Sequence, residues 1–181
     1  ASSVTNIGFT FRYFATNYTQ FSVNSNGGIR LGGTAIGNTT IGTSFPVSGQ
    51  AILAPYLQDI ETHSSGKIHY KVVGTSPNRA LEIEFLQMRI NFTSSTNDAT
   101  FQVRLYETSN IIEYVYGAMS VGSTSNGGGN NADARTAVIG FSNTTGTNNQ
   151  ISVNQSSYAT NITSTPTTNT NGSTGTITGL N

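Results

Sequence analysis

The chain has 181 residues, a formal net charge of zero and charged side chains at only 9% of its positions, against roughly 25% in an average soluble domain. That balance leaves no basic footprint for nucleic acid or an acidic membrane surface. The lack of cysteine excludes disulfide scaffolds, thiolate metal sites and cysteine nucleophiles, and no apolar run approaches the roughly 20 residues of a spanning helix.

Helical periodicity is almost absent; apolar residues recur at every second position, the signature of strands half-buried in a sheet. Ile7, Phe9 and Phe11 alternate with small or polar residues, as do Phe21 with Val23 and Ile29 with Leu31. Ser25-Asn26-Gly27-Gly28 separates the last two pairs. It predicts a hairpin turn, because Asn and Gly accept positive φ at little cost. Four further runs follow: Ile68–Val72, Leu81–Phe85, Phe101–Leu105 and Ile112–Tyr116. An antiparallel meander turning at Thr108-Ser109 sets Leu105 opposite Ile112, Val103 opposite Tyr114 and Phe101 opposite Tyr116. The preceding connection is expected to place Ile83 by Leu105 and Phe85 by Val103. The turn around Pro77-Asn78 is expected to place Val72 by Leu81 and Tyr70 by Ile83. One face is then wholly apolar, and a one-residue slip would destroy it. The same register aligns His69, Glu84, Arg104 and Glu113 across the other face, with Lys71 beside Glu82 and Tyr106 next to it.

Strand-like pieces continue at Thr136–Phe141 and Ile151–Val153, but no charged side chain follows Arg135. The triple-glycine stretch Ser123–Asn131 is expected to be a flexible loop. The fold expected is all-β, an antiparallel β-sandwich, jelly-roll-like, with extended, strand-like termini. Residues 1–157 form the sandwich domain. Residues 158–181 form a Thr/Asn/Gly-rich tail in which Thr176–Leu180 alternates weakly, as a last strand would.

Six stretches occur in an order that resembles a known family: Ile7–Phe11, Tyr18–Gly27, Ile52–Ile60, Gly66–Tyr70, Pro77–Phe85 and Phe101–Gly117. They resemble the β-sandwich modules of secreted multidomain proteins of Bacteroidota and, more distantly, the nidogen-like extracellular domain. Where those modules carry Trp and acidic residues after the Pro-Tyr step, this chain has Leu57 and Gln58. The resemblance implies a structural or adhesive extracellular module and no enzyme activity.

Candidate sites are few. His69, Glu84, Arg104 and Glu113 make either a solvated charge ladder or an acid–base cluster, with the ladder the better reading. Glu82 and Glu84 share a face at a spacing compatible with the carboxylate pair of a glycosidase, about 5–10 Å. His63 lies in a polar turn, and no G-x-S-x-G nucleophile motif accompanies it. The loop carboxylates are Asp59, Glu61, Asp98 and Asp133. None has calcium-loop spacing, so no metal is expected, and only Asp59 with Glu61 stands as a weak pair. N-glycosylation sequons occur at Asn17, Asn38, Asn91, Asn143, Asn154, Asn161 and Asn171. Tyr13, Tyr56 and Tyr106 are candidates for stacking on sugars.

No catalytic residue and no cofactor are expected. The leading expectation is an extracellular or cell-surface subunit, its targeting segment removed, that polymerises with copies of itself into a pilus-like filament. Sheet edges with little Lys or Pro to block pairing would accept a neighbour's terminal strand, donated by Val4–Phe11 or Thr163–Leu180. The alternative is a monomeric adhesion or carbohydrate-binding module of a larger secreted protein, with glycans as partners. A third is a hydrolase using Glu82 or Glu84. Neither nucleic-acid binding nor membrane insertion is expected.

Overall fold

The computed structural model describes residues 1–40, 45–47, 49–90, 99–119, 135–144, 148–155 and 162–166. The described residues form two antiparallel sheets and no helix. The chain opens with β1 (Thr5–Tyr13), β2 (Thr16–Val23), β3 (Ile29–Leu31) and β4 (Ala51–Leu57). It then builds β5 (Glu61–Val73), β6 (Ala80–Arg89), β7 (Ala99–Tyr106) and β8 (Ile112–Met119). It closes with β9 (Arg135–Ser142), β10 (Asn148–Gln155) and β11 (Ile162–Pro166). One sheet has seven strands in the order β1-β2-β3-β4-β9-β10-β11; the other is the meander β5-β6-β7-β8. The sandwich is as expected, but its wiring is not that of a jelly roll. One four-strand meander is inserted whole between β4 and β9 of another, and strands do not alternate between the sheets. Thr176–Leu180 and Ser123–Asn131 lie outside the described residues.

The turns place the meander. Leu105 faces Ile112, Val103 faces Tyr114 and Phe101 faces Tyr116, while Val72 faces Leu81 and Tyr70 faces Ile83, as the spacing predicts. Between β6 and β7 the register differs by two residues from the expected one. Leu81, not Ile83, faces Leu105; Ile83 faces Val103 and Phe85 faces Phe101. A shift of two leaves every side chain on its own face, so alternation cannot distinguish the two registers. The register adopted is accompanied by an irregularity between Phe85 and Met88.

The main core lies between the sheets. From β1 it takes Ile7, Phe9, Phe11 and Tyr13, from β6 and β7 the fully buried Leu81, Ile83, Phe85, Val103 and Leu105. Phe85 and Phe101 stack with ring centroids 4.7 Å apart. Each such side chain contributes about 1.5–3 kcal/mol through its burial. A smaller core covers the other face of the seven-stranded sheet. There Ile36 and Phe45 pack on Ile52, Ala54, Leu57 and Val138. All seven residues of β4 (AILAPYL) are therefore buried, as expected of a strand covered on both faces.

Tyr70 and Val72, expected in the core, are 50% and 41% exposed. Their strand is the edge of its sheet, and their side chains reach across to the first two strands of the other sheet. Val72 Cγ2 lies against Gly8, and the Tyr70 ring meets Phe21 edge-on at 5.4 Å.

Candidate functional site: the β1 edge and the charged outer face

The outer face of the four-stranded sheet carries a cluster of cross-strand charges. The two-residue offset between β6 and β7 splits the expected single row into two. In one row Lys71, Glu82, Arg104 and Glu113 follow one another; in the other, His69, Glu84 and Gln102. Lys71 Nζ is 3.2 Å from Glu82, and Arg104 is 3.5 Å from Glu82 and 3.2 Å from Glu113. Tyr106, expected beside Glu82, faces Ala80 at the strand end, and its hydroxyl donates to Glu113 at 2.8 Å. His69 Nε2 is 2.5 Å from Glu84 Oε2, and Gln102 donates to Glu84 Oε1 at 2.7 Å. The Gln102 bond, helped by His69, holds the Glu84 carboxyl below its ordinary pKa although burial opposes this. Glu84 is thus tuned to remain ionised, the opposite of what a proton donor needs. Glu82 is engaged by two cations. Paired charges directly across strands, each worth about 0.2–1 kcal/mol, account for this face.

The other candidates are dispersed. The Glu61 carboxylate is taken by Arg89, while Asp59 is exposed, its backbone N–H bonded to the Gln58 side chain. Asp98 and Asp133 lie outside the described residues, and among those described no three His, Asp or Glu side chains converge on one point. His63 is half-buried within β5, in the irregular stretch between Thr62 and Lys67. Of the sequons, Asn17 and Asn38 are exposed, Asn143 is half-buried at the end of β9, and Asn154 belongs to β10; Asn91, Asn161 and Asn171 fall outside the described residues. Two of the three tyrosines considered for sugar stacking are closed off. Tyr13 and Tyr56 are 5% and 2% exposed, and the Tyr13 hydroxyl donates to the Ser142 carbonyl at 2.9 Å. Burial raises the Tyr13 pKa, so its proton stays in that bond.

Two features were not read from the sequence. The first is a polar knot behind the Ser25–Gly28 turn. Asn24 is buried; its Nδ2 donates to the carbonyls of Gly37 and Thr40 at 3.0 and 2.9 Å, and its Oδ1 accepts from the Gly28 N–H at 2.9 Å. Asn26 Nδ2 donates to the Asn38 carbonyl at 3.0 Å, and Ser22 Oγ accepts from the Ile36 N–H at 2.8 Å. These bonds fasten the segment after β3 over the second core. The clustering of Asn with Gly was the available signal, but it reads equally well as a simple turn.

The second feature is the edge formed by β1. Gly8 O accepts from Arg79 at 2.9 Å, and the Arg12 N–H donates to Asn110 Oδ1 at 2.7 Å. Arg79 is itself paired with Glu107 through two contacts, 2.8 and 2.6 Å. That pairing carries the Glu107 carboxyl down to about 2. At the end of the strand Phe14 occupies the left-handed region with φ 50°, where a bulky side chain is rarely found. It is 46% exposed and meets Tyr13 and Phe141 at 4.8 and 6.1 Å. Alternation gives no hint of it, since it lies in the turn between two strands.

No curated protein and no solved structure gives a significant match to the chain. A family model described as NIDO related covers residues 1–179. It spans every strand of both sheets, and it supports the distant likeness to the nidogen-like extracellular domain. The chain belongs to the NIDO-related family.

Proposed function

We propose that this NIDO-related domain is a non-catalytic structural subunit of an extracellular filament, assembled head to tail through strand complementation. The family relationship supports an extracellular setting. The likeness to secreted Bacteroidota modules supports display on a bacterial surface. The observation that carries the assembly reading is the placement of the chain's ends. The first strand and the last described strand are the opposite edges of one seven-stranded sheet, so the β11 side of one copy set beside the β1 side of the next continues that sheet in one direction. Contacts of this unlike-surface kind propagate into a filament wherever the rotation between copies does not close a ring. Val4–Phe11 places Ile7, Phe9 and Phe11 in the domain's own core, which favours the C-terminal side as donor. Fifteen residues follow Pro166, none of them charged.

A second reading, an adhesion or glycan-binding module acting as a monomer, draws on the exposed ring of Phe14 and the exposed sequons Asn17 and Asn38. Electron microscopy of the purified protein separates the two. Filaments of regular repeat are expected, and deletion of residues 167–181, which spares every described strand, is expected to leave dispersed particles. Dispersed particles from the intact chain would refute the filament reading.

A further inference from the structure

The exposed large apolar side chains among the described residues are Phe14, Tyr70, Val72 and Ile111. They come from three separate parts of the chain, and each lies at the end of β1, over it, against a residue paired with it, or next to a residue bonded to it. Tyr70 contacts Phe21, the partner of Thr5 at the start of β1. Val72 lies over Gly8. Ile111 follows Asn110, whose side chain accepts the Arg12 N–H. Phe14 ends the strand. In this order they flank β1 from one end to the other.

Two backbone groups and an ion pair along the flank are already satisfied from within. Arg79 and Glu107 neutralise each other in the middle of it, the Gly8 carbonyl is covered by Arg79 and the Arg12 amide by Asn110. A partner settling there would desolvate mostly apolar surface together with the exposed Arg12 side chain near the end of the strand, so an uncharged chain suits it and a strongly basic one does not. Phe14 sharpens the point. A half-exposed ring held at positive φ has a conformational cost that Gly or Asn would avoid, and its contacts within the chain do not require that exposure.

We infer that this flank of β1 is the docking surface for a second copy of the chain, and that the segment received there is the partner's uncharged residues 167–181. The inference rests on the assembly reading and names its acceptor. At about 3.3 Å per residue the fifteen residues reach about 50 Å, more than the nine-residue β1 requires. Because Arg79 caps the strand at Gly8 and Asn110 caps it at Arg12, near its C-terminal end, the incoming segment packs on side chains over that half and adds backbone hydrogen bonds only towards the start of the strand.

Two measurements test this. A Phe14→Asn, Ile111→Asn double variant changes only exposed turn residues, and Asn tolerates the left-handed backbone. It is expected to keep the β-sheet circular dichroism of the parent and to raise the protein concentration needed for filament formation at least tenfold. Unchanged assembly would overturn the inference. The second measurement does not depend on how that variant folds. Since the chain lacks cysteine, Val72→Cys paired in turn with Thr168→Cys, Ser173→Cys or Thr178→Cys introduces only the intended thiols. At least one pair is expected to give a ladder of disulfide-linked multimers on oxidation of filaments, and Val115→Cys on the charged outer face, paired likewise, is not. Filaments that form normally without a Val72 ladder overturn the inference and leave the assembly reading standing; a parent chain that never polymerises overturns both.

Discussion

Replacing Asn24 by alanine should be among the most damaging single polar changes in this domain. Its side chain is 1% exposed and makes three hydrogen bonds of 2.9–3.0 Å, to Gly28, Gly37 and Thr40. Truncation leaves an N–H and two carbonyls without that partner. An orphaned buried group costs about 1–3 kcal/mol. The Thr40 carbonyl retains a longer contact of 3.4 Å from Asn26, and the segment after β3 can shift to admit water. A net loss of about 4 kcal/mol follows from these terms. For a domain of this size that corresponds to a fall in Tm of about 8–16 °C. Asn24→Asp keeps an acceptor for Gly28 but sets a buried carboxylate oxygen against the Gly37 and Thr40 carbonyls, so its Tm at pH 7 should be no higher than that of the alanine variant. Thermal unfolding followed by circular dichroism measures all three. A fall below about 3 °C for Asn24→Ala, or Asp behaving like the parent, would refute the idea that this knot fastens the second core.

Two further outcomes are expected. Gly27 has φ 81°, and a Cβ there would stand 2.1 Å from the Tyr56 carbonyl oxygen; Gly27→Ala should cost at least about 3 kcal/mol in urea unfolding, whereas Gly49→Ala, whose Cβ would meet nothing within 4 Å, should cost only its φ penalty of about 1–2 kcal/mol. Glu107 titrates near 2 in the folded chain because Arg79 binds its ionised form. A depressed folded pKa contributes stability that is complete above the ordinary carboxylate pKa of about 4.3 and is lost as pH falls towards 2. Glu107→Gln should therefore lower the Tm at pH 7, and the gap to the parent should narrow between about pH 4.5 and pH 2; a gap independent of pH would refute the assignment.

Much of the fold was legible because alternation is a physical constraint on one side of a sheet. Phe101, Val103 and Leu105 had to share a face, and a tight turn at Thr108-Ser109 left one pairing with Ile112–Tyr116. The β6–β7 register was not legible, because Ile83 or Leu81 opposite Leu105 buries the same set of atoms. The charged rows inherited that ambiguity: moving Arg104 from Glu84 to Glu82 changes no pattern in the sequence. For the stacking tyrosines, aromaticity was visible but exposure was not, so Tyr13 and Tyr56 were plausible until the sheets closed over them.

By itself the sequence determined the all-β character of the described residues, which residues share a face in each strand, and that no charge follows Arg135. Those are properties of neighbours within a few residues, and they are set by backbone geometry and side-chain parity. Tertiary structure alone decided which strand lies at an edge, which large apolar side chains remain exposed, and that Val72 lies over Gly8 and Tyr70 against Phe21. The reason is that burial belongs to the pair of surfaces brought together, and separation along the chain carries no record of which surfaces will meet.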